Sequence, residues 1–279
     1  MEPIQAIVLG IIQGLTEFLP VSSSGHLVIF QHLFQITAPV ASFDIYVHLG
    51  TLFVVIIFFR KDLMAMLTAL IKSISSLCKQ NTSSASINNS KDTGSKELKL
   101  AFLIVAGSIP TGIIGIFFYK IADKLFSSIL LVGFMLLITG ILLWLTRIPK
   151  QNNKGIDKFS ASAAIIIGLV QGTAIMPGIS RSGSTIAVGL LLGLDKQIAA
   201  RYSFLLSIPA ICGATVLDLF STHTSPMIPA HISLIGMCSS FIVGYFALSL
   251  LMYLVKNGRM YVFSPYCFLA GGIALLLGT

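Results

Sequence analysis

The chain has 279 residues, of which 55% are hydrophobic and only 10% are charged. This composition excludes an ordinary water-soluble domain, in which about a quarter of the residues carry charge. The formal net charge of +8 does not indicate nucleic-acid binding, because Lys and Arg concentrate in the cytoplasmic loops of membrane proteins. Several apolar stretches approach the roughly 20 residues that a membrane-spanning helix needs. We therefore predict an all-α polytopic membrane protein.

The first apolar stretch of the chain is broken in its middle. Residues 4–18 and 27–34 are apolar, and a polar run that contains Pro20 separates them. Neither half is long enough to cross a bilayer comfortably on its own. We predict a re-entrant pair of helices whose tip lies at residues 20–25.

The same broken stretch recurs in the second half of the chain. Gln13 has its counterpart 158 residues later in Gln171, and neighbouring glycines and serines follow the same offset. Residues 161–175 and 186–194 form the second predicted re-entrant pair, with its tip at 177–183. Duplicated, interrupted segments are typical of a site between inverted repeats. We predict one membrane domain, 1–279, with repeats at about 1–150 and 151–279.

Six longer stretches are predicted to cross the membrane: 43–59, 100–119, 126–146, 202–220, 232–255 and 260–277. Residues 63–77 are ambiguous, because they include Lys72 and several serines. If they lie at the membrane surface, all but three Lys and Arg residues share the cytoplasmic side, the exceptions being Lys120, Lys124 and Arg181. We favour this interpretation. It makes residues 79–99 a cytoplasmic polar loop and inserts the second repeat upside down.

The polar side chains of the first tip indicate an anion site. Ser22, Ser23 and Ser24 precede a helix whose first backbone N–H groups, such as that of Gly25, lack partners within the helix. Hydroxyls beside a helix N-terminus suit phosphate, although ordinary serine capping is the alternative. His26 adds a group that can exchange a proton near neutral pH.

Gln13 and Glu17 are four residues apart and lie on one face of the first half-helix. Two oxygen-bearing side chains in this arrangement can bind a hard divalent cation that also contacts phosphate oxygens. A hydrogen bond from Gln13 to Gln171 is the alternative. For Glu17 packing alone is a poor explanation, because an isolated buried carboxylate is costly.

The second tip contributes Arg181, which is flanked by Ser180, Ser182 and Thr185. A guanidinium group forms a fork that suits two phosphate oxygens. Arg181 could instead neutralise Glu17 across the repeat interface, and both roles are compatible. Three other polar residues are interpreted as span-end or core-packing groups: Asp44, His48 and Asp218.

Two long motifs carry a resemblance to a known family. Gln13, Glu17 and residues 18–26 match the pattern (E/Q)xxxE followed by FLPVSS(S/T)GH, and residues 177–185 are similar to PGxSRSxxT. The chain resembles the undecaprenyl-diphosphate phosphatase family, also called bacitracin-resistance proteins. The resemblance implies hydrolysis of undecaprenyl diphosphate to undecaprenyl phosphate and inorganic phosphate, which recycles the carrier lipid of peptidoglycan synthesis. It also implies a divalent cation (Mg²⁺, with Ca²⁺ as an alternative), a homodimer, and an active site on the periplasmic side of the bacterial inner membrane.

The resemblance also suggests roles for individual residues. Glu17 would bind the metal or orient water, with Gln13 as a second ligand at a position that is often Glu. His26 would act as acid and base, while Ser23 and Arg181 would hold the diphosphate. The predicted phosphate-binding set is completed by Ser22, Ser24, Gly25, Ser180, Ser182 and Thr185. The residues do not decide between Ser23 as a covalent nucleophile and a metal-held water. A flippase or transporter of an anionic lipid is the alternative function.

Overall fold

The computed structural model describes residues 1–36, 41–78, 90–119, 125, 128–147, 153–219 and 228–278. Within these ranges the chain is helical, and its only β-type pairing is an isolated bridge between Lys154 and Leu194. The α-helices are α1 (Pro3–Phe18), α2 (Ser23–Leu33), α3 (Ala41–Phe58), α4 (Arg60–Cys78), α5 (Ser90–Tyr119), α6 (Ile129–Leu145), α7 (Ala161–Thr173), α8 (Arg181–Leu191), α9 (Lys196–Leu219), α10 (Ala230–Lys256) and α11 (Ser264–Leu277). Two short 3₁₀ helices cover Ile156–Lys158 and Met260–Phe263.

The first predicted re-entrant pair corresponds to α1 and α2. Pro3 occupies the first turn of α1, where its missing N–H costs nothing. The helix ends at Phe18, just before Pro20. Ser22 then turns the chain with a positive φ of 71°, and its side chain caps α2 by accepting a hydrogen bond from the Gly25 amide at 3.3 Å. The break is therefore built from local sequence.

The second pair, α7 and α8, is built in the same way. Ser160 caps α7, and Gly178, with a φ of +100°, makes the turn that a side chain would disfavour. Ser180 caps α8 by accepting from the Gly183 amide at 3.0 Å. Because of this cap α8 begins at Arg181, earlier than the predicted start at residue 186. Arg181 therefore lies on the first turn of a helix, whereas the sequence had placed it in a loop.

The first helix of each half packs against a long helix of the other half. Helix α1 packs against α10, and its repeat counterpart α7 packs against α5. A Cβ atom on Gly10 would overlap the backbone of Gly236, and one on Gly168 would overlap the backbone of Gly107. Such close helix approach through small residues is common in membranes. The packing of one half thus mirrors that of the other, as expected for a duplication; opposite insertion of the halves in a membrane stays a prediction.

Four segments are long and apolar enough to cross a membrane: Gly94–Phe118, Lys196–Leu217, Ala230–Lys256 and Met260–Leu277. Four shorter apolar helices accompany them: Pro3–Phe18, Phe43–Phe58, Ile129–Leu145 and Ala161–Thr173. Two of these shorter helices belong to the re-entrant pairs, and the other two cover predicted spans. The all-α polytopic membrane class is confirmed.

The prediction of a polar loop over residues 79–99 is wrong for its second part, because α5 already begins at Ser90. Residues 79–89 lie outside the described ranges. Ion pairs hold this part of α5 against its neighbours. An Arg201 terminal nitrogen lies 2.8 Å from Glu97 Oε2 and 2.6 Å from Asp62 Oδ1. These contacts join α5 to α4 and α9.

The ambiguous segment at 63–77 is helical and belongs to α4. It packs against α5. One of its faces exposes large apolar side chains at helical spacing, namely Met64, Leu67, Ile71 and Ile74. An exposed apolar stripe on a helix that also carries Lys61 and Lys72 suits a membrane surface, so the interfacial interpretation stays our prediction.

Candidate active site

The two tips meet inside the protein and are joined by hydrogen bonds. Ser182 Oγ donates to the Phe18 carbonyl at 3.1 Å, and the Gly178 amide donates to Ser22 Oγ at 3.1 Å. The Phe18 ring is fully buried, and its centroid lies 5.9 Å from that of Phe204. A rigid apolar layer therefore supports the junction. The polar residues of the two distant motifs form one site.

Glu17 is the centre of this site. Its Oε2 accepts hydrogen bonds from Gln13 Nε2 at 3.0 Å and from Ser23 Oγ at 2.6 Å. Its Oε1 is bonded to a terminal nitrogen of Arg181, which arrives from the other repeat. Only 8% of Glu17 is exposed. A buried carboxylate is stable when it is paired and hydrogen-bonded, and each of these contacts meets that need.

Arg181 keeps one donor group uncommitted. One terminal nitrogen bonds Glu17, whereas Nη1 is buried and has no hydrogen-bond partner among the described residues. An unpaired buried donor costs free energy in the absence of a partner. The Arg181–Glu17 pair that the sequence offered as an alternative is thus present, and the guanidinium can still donate to an anion.

The proposed bond between Gln13 and Gln171 is absent. Gln171 Nε2 instead donates to the Leu206 carbonyl at 3.1 Å, while Gln13 donates to Glu17. Gln13 Oε1 is buried and unpartnered within the described part of the chain. An amide oxygen beside a carboxylate, lacking a donor, is a chemically suitable ligand for a hard cation.

Gln13 and Glu17 are too few protein ligands to hold a metal ion by themselves. Among the described residues no group of three or more His, Cys, Asp and Glu side chains could hold a metal ion. Gln13 and Glu17 fit a cation only if other oxygen ligands come from water or from a bound phosphate group, which is the usual arrangement for Mg²⁺.

Within the described part of the chain, His26 makes no hydrogen bond to Glu17. Its Nδ1 lies 2.7 Å from the Ser22 carbonyl oxygen, and its Nε2 lies 2.6 Å from the hydroxyl of Tyr266. Only 6% of the residue is exposed. The histidine is therefore held at both nitrogens, and Tyr266 was not among the predicted site residues.

Several predicted phosphate-binding groups are occupied by protein partners. Ser22 Oγ and Ser180 Oγ cap their helices, using the amides of Gly25 and Gly183. Ser182 Oγ donates to the Phe18 carbonyl, and Ser182 is 1% exposed.

The remaining hydroxyls of the predicted set also have protein partners. Thr185 Oγ1 lies 2.7 Å from the Arg181 carbonyl and 2.5 Å from Ser203 Oγ. Ser24 Oγ is 3.4 Å from Ser22 Oγ. In this arrangement most of these groups stabilise the conformation of the tips, and a phosphate contact for them stays a prediction.

The sequence analysis interpreted His48 as a span-end or core-packing residue, but the structure places it beside Glu17. Its Nε2 lies 3.9 Å from Glu17 Oε2, and its Nδ1 lies 2.7 Å from the Asp44 carbonyl. The side chain is 32% exposed, so it forms an edge of the site, whereas we had interpreted it as a packing group. An ionisable residue within an apolar helix was the signal that pointed to it. The side chain of Asp218 lies outside what the structure describes.

The sequence did not predict a role for Thr139 in the site. Its hydroxyl donates to the Gly178 carbonyl and accepts from the Ser180 amide, both at 3.0 Å. It fixes the second tip from α6. Nothing in the local sequence marks this threonine, since its role depends on a partner 39 residues away.

Known proteins match this chain over nearly its whole length. A family model described as Bacitracin resistance protein BacA matches residues 6–273. A protein of Desulfosudis oleivorans is 52% identical over 100% of this chain and 99% of its own length. Relatives from Carboxydothermus hydrogenoformans and Methanobrevibacter smithii are 40% and 38% identical, each over 99% of this chain and 98% of their own length. All three are named undecaprenyl-diphosphatase. The match over nearly the whole chain confirms the resemblance carried by the two motifs: the chain belongs to the bacitracin resistance protein BacA family.

Proposed function

We propose that this membrane protein is an undecaprenyl-diphosphatase, which hydrolyses the terminal phosphate of a polyprenyl diphosphate. The observation that carries the proposal is the convergence of Ser23 and Arg181 on the buried carboxylate of Glu17. In this proposal Ser23 is the nucleophile, Glu17 is the base, and Arg181 is the cation that binds phosphate. The names of the relatives agree with this activity.

The chemistry begins with Ser23 as the nucleophile. Its Oγ–H already donates to Glu17 Oε2 at 2.6 Å, so the carboxylate can take the proton as Oγ bonds to the terminal phosphorus. The bond from phosphorus to the bridging oxygen breaks, and the electron pair leaves with the lipid monophosphate. Arg181 Nη1 donates to an oxygen of the transferred group and stabilises its charge.

A water molecule then cleaves the phosphoserine. The water oxygen bonds to phosphorus as its proton passes to His26 Nε2, and the bond from phosphorus to Ser23 Oγ breaks as Oγ takes back the proton held by Glu17. His26 then releases its proton to solvent. Inorganic phosphate is released and Ser23 is restored. His26 lies three residues after Ser23 on α2 and thus on the same helix face, which supports its role in this second step.

A divalent cation completes the site in this proposal. Gln13 and Glu17 would hold it, and it would neutralise charge on the diphosphate. Mg²⁺ is our first choice and Ca²⁺ the second, because both prefer oxygen ligands.

The cellular setting is also proposed. The family resemblance supports a bacterial inner membrane protein whose active site opens to the periplasmic side, and the distribution of Lys and Arg supports cytoplasmic loops on one side of the membrane. Cysteines at Thr37 and Asn152, positions outside the described ranges, should react from opposite faces of the membrane. Labelling from one face would refute the inverted topology. A homodimer has the family resemblance as its only support, and crosslinking in native membranes tests it.

Phosphate release from a polyprenyl diphosphate by the purified protein in detergent with Mg²⁺ is the direct test. Substrate labelled with ³²P at the terminal phosphate should also leave label on the protein after an acid quench, and Ser23→Ala should remove that label. Release without a trapped phosphoserine would favour attack by water. The absence of any release, with lipid translocation intact in vesicles, would establish the flippase alternative instead.

A further inference from the structure

Tyr266 lies outside both sequence motifs, yet it contacts the proposed acid–base residue. It belongs to the first turn of α11, in the second half of the chain. Its hydroxyl lies 2.6 Å from His26 Nε2. The two rings are nearly parallel, with an interplanar angle of 11° and centroids 5.7 Å apart. The contact thus includes both a hydrogen bond and a ring stack.

The second partner of His26 determines which way this hydrogen bond runs. Ser22 offers a carbonyl oxygen to Nδ1, and a carbonyl can only accept. The Nδ1 atom therefore carries the hydrogen of the neutral ring, and Nε2 presents its lone pair. Tyr266 must donate to that lone pair. Its hydroxyl therefore occupies the place from which a reacting water would deliver a proton.

The position of Tyr266 is fixed by its neighbours on α11. Ser264 Oγ donates to the Gly140 carbonyl on α6 at 2.7 Å, and Cys267 Sγ lies 3.5 Å from the Pro20 carbonyl in the first tip. Both residues are buried. The first turn of α11 is therefore anchored on both sides of Tyr266, while Tyr266 itself is 46% exposed. The backbone is held, and part of the side chain faces away from the protein.

We propose that Tyr266 is a positioning residue for His26, an inference that rests on the proposed phosphatase function. In the resting enzyme its hydroxyl holds the imidazole in the tautomer whose Nε2 is the base. The reacting water replaces the hydroxyl at Nε2 when substrate is bound. Tyr266 thereby links the second repeat to the acid–base group of the first.

The central test is Tyr266→Phe, which removes the hydroxyl and keeps the ring. We expect kcat to fall about fivefold to tenfold, the loss typical of one hydrogen bond, with KM unchanged within about twofold. Tyr253→Phe is the matched control, since that tyrosine is 62% exposed and lies near the C-terminal end of α10. It should keep the wild-type kcat.

A measurement without turnover separates the contact from the activity. In protein labelled with ¹⁵N at histidine, the His26 resonances are assigned by their loss in His26→Gln. Wild-type His26 should show one protonated Nδ1 and one hydrogen-bonded Nε2, and Tyr266→Phe should shift the Nε2 signal. Unchanged His26 signals together with wild-type kcat in Tyr266→Phe would overturn the proposal. An inactive wild-type protein would refute the phosphatase function itself, whereas the NMR comparison would still report whether the contact exists.

Discussion

The two tips are built by the same backbone device and contribute differently to the site. In both, a serine caps the second half-helix, Ser22 in the first tip and Ser180 in the second. The residue after each cap begins the helix, and these two residues are Ser23 and Arg181. Both point at Glu17. Equivalent positions of a duplicated element thus approach one carboxylate from two sides, and in our proposal they supply the nucleophile and the guanidinium cation.

The tips differ in the side chains that they contribute. The first holds Glu17, Ser23 and His26, whereas the positions at the same offset in the second are Ile175, Arg181 and Ser184. The hydroxyls of the second tip bond to backbone and to Ser203. In our proposal the first tip therefore performs the chemistry, while the second presents one arginine and keeps it in place.

The largest effect should come from the carboxylate on which both tips converge. We expect Glu17→Gln to lower kcat by about a thousandfold or more, since the amide cannot accept the Ser23 proton. The amide keeps the side-chain volume, which limits the damage to the fold. Phosphate release measures the effect, and Glu2→Gln, at the exposed start of α1, is the control. Wild-type turnover in Glu17→Gln would remove Glu17 from the mechanism.

Arg181→Ala tests the contribution of the second tip. Loss of a donor to the transferred phosphate should lower kcat by about a hundredfold to a thousandfold. It also leaves Glu17 buried without its cation, so thermal unfolding should be measured in parallel. Arg181→Lys restores the charge without the fork and should recover part of the activity. Full activity of Arg181→Ala would contradict the proposed division between the tips.

The affinity of the site for Mg²⁺ should depend on the charge at position 13. Gln13→Glu adds a second carboxylate beside Glu17, and we expect the Mg²⁺ concentration for half-maximal activity to fall about tenfold. Gln5→Glu on the same helix should leave it unchanged. Excess chelator should stop turnover in both variants, and activity that persists in chelator would defeat the metal proposal.

The smallest effect on activity should come from the second tip's buried hydroxyls. Thr185→Val removes the contacts to Ser203 and to the Arg181 carbonyl. We expect a loss of stability of about 1–2 kcal/mol from the unsatisfied partners, with kcat within about threefold of wild type. Thermal unfolding and phosphate release measure the two quantities. A large loss of kcat in a stable Thr185→Val protein would show that this hydroxyl contacts substrate.

The sequence by itself determined the membrane class, the broken segments and most of the site. These features depend on local chemistry: apolar length, Pro and Gly at breaks, serine caps, and the cost of a buried Glu17. The family motifs span short runs, so the residues Gln13, Ser23, His26 and Arg181 could be named before any fold was known.

Only the tertiary structure decided how those residues are paired. It joined Ser23 and Arg181 to one carboxylate, bonded Gln171 to Leu206, and brought His48 and Tyr266 to the site from other helices. It also extended α5 back to Ser90, where the sequence had predicted a loop. The physical reason is common to nearly all of them. Apart from the Ser23–Glu17 hydrogen bond, whose partners are six residues apart, each depends on a hydrogen bond or ion pair between residues far apart in the chain. Local propensity carries no information about such partners.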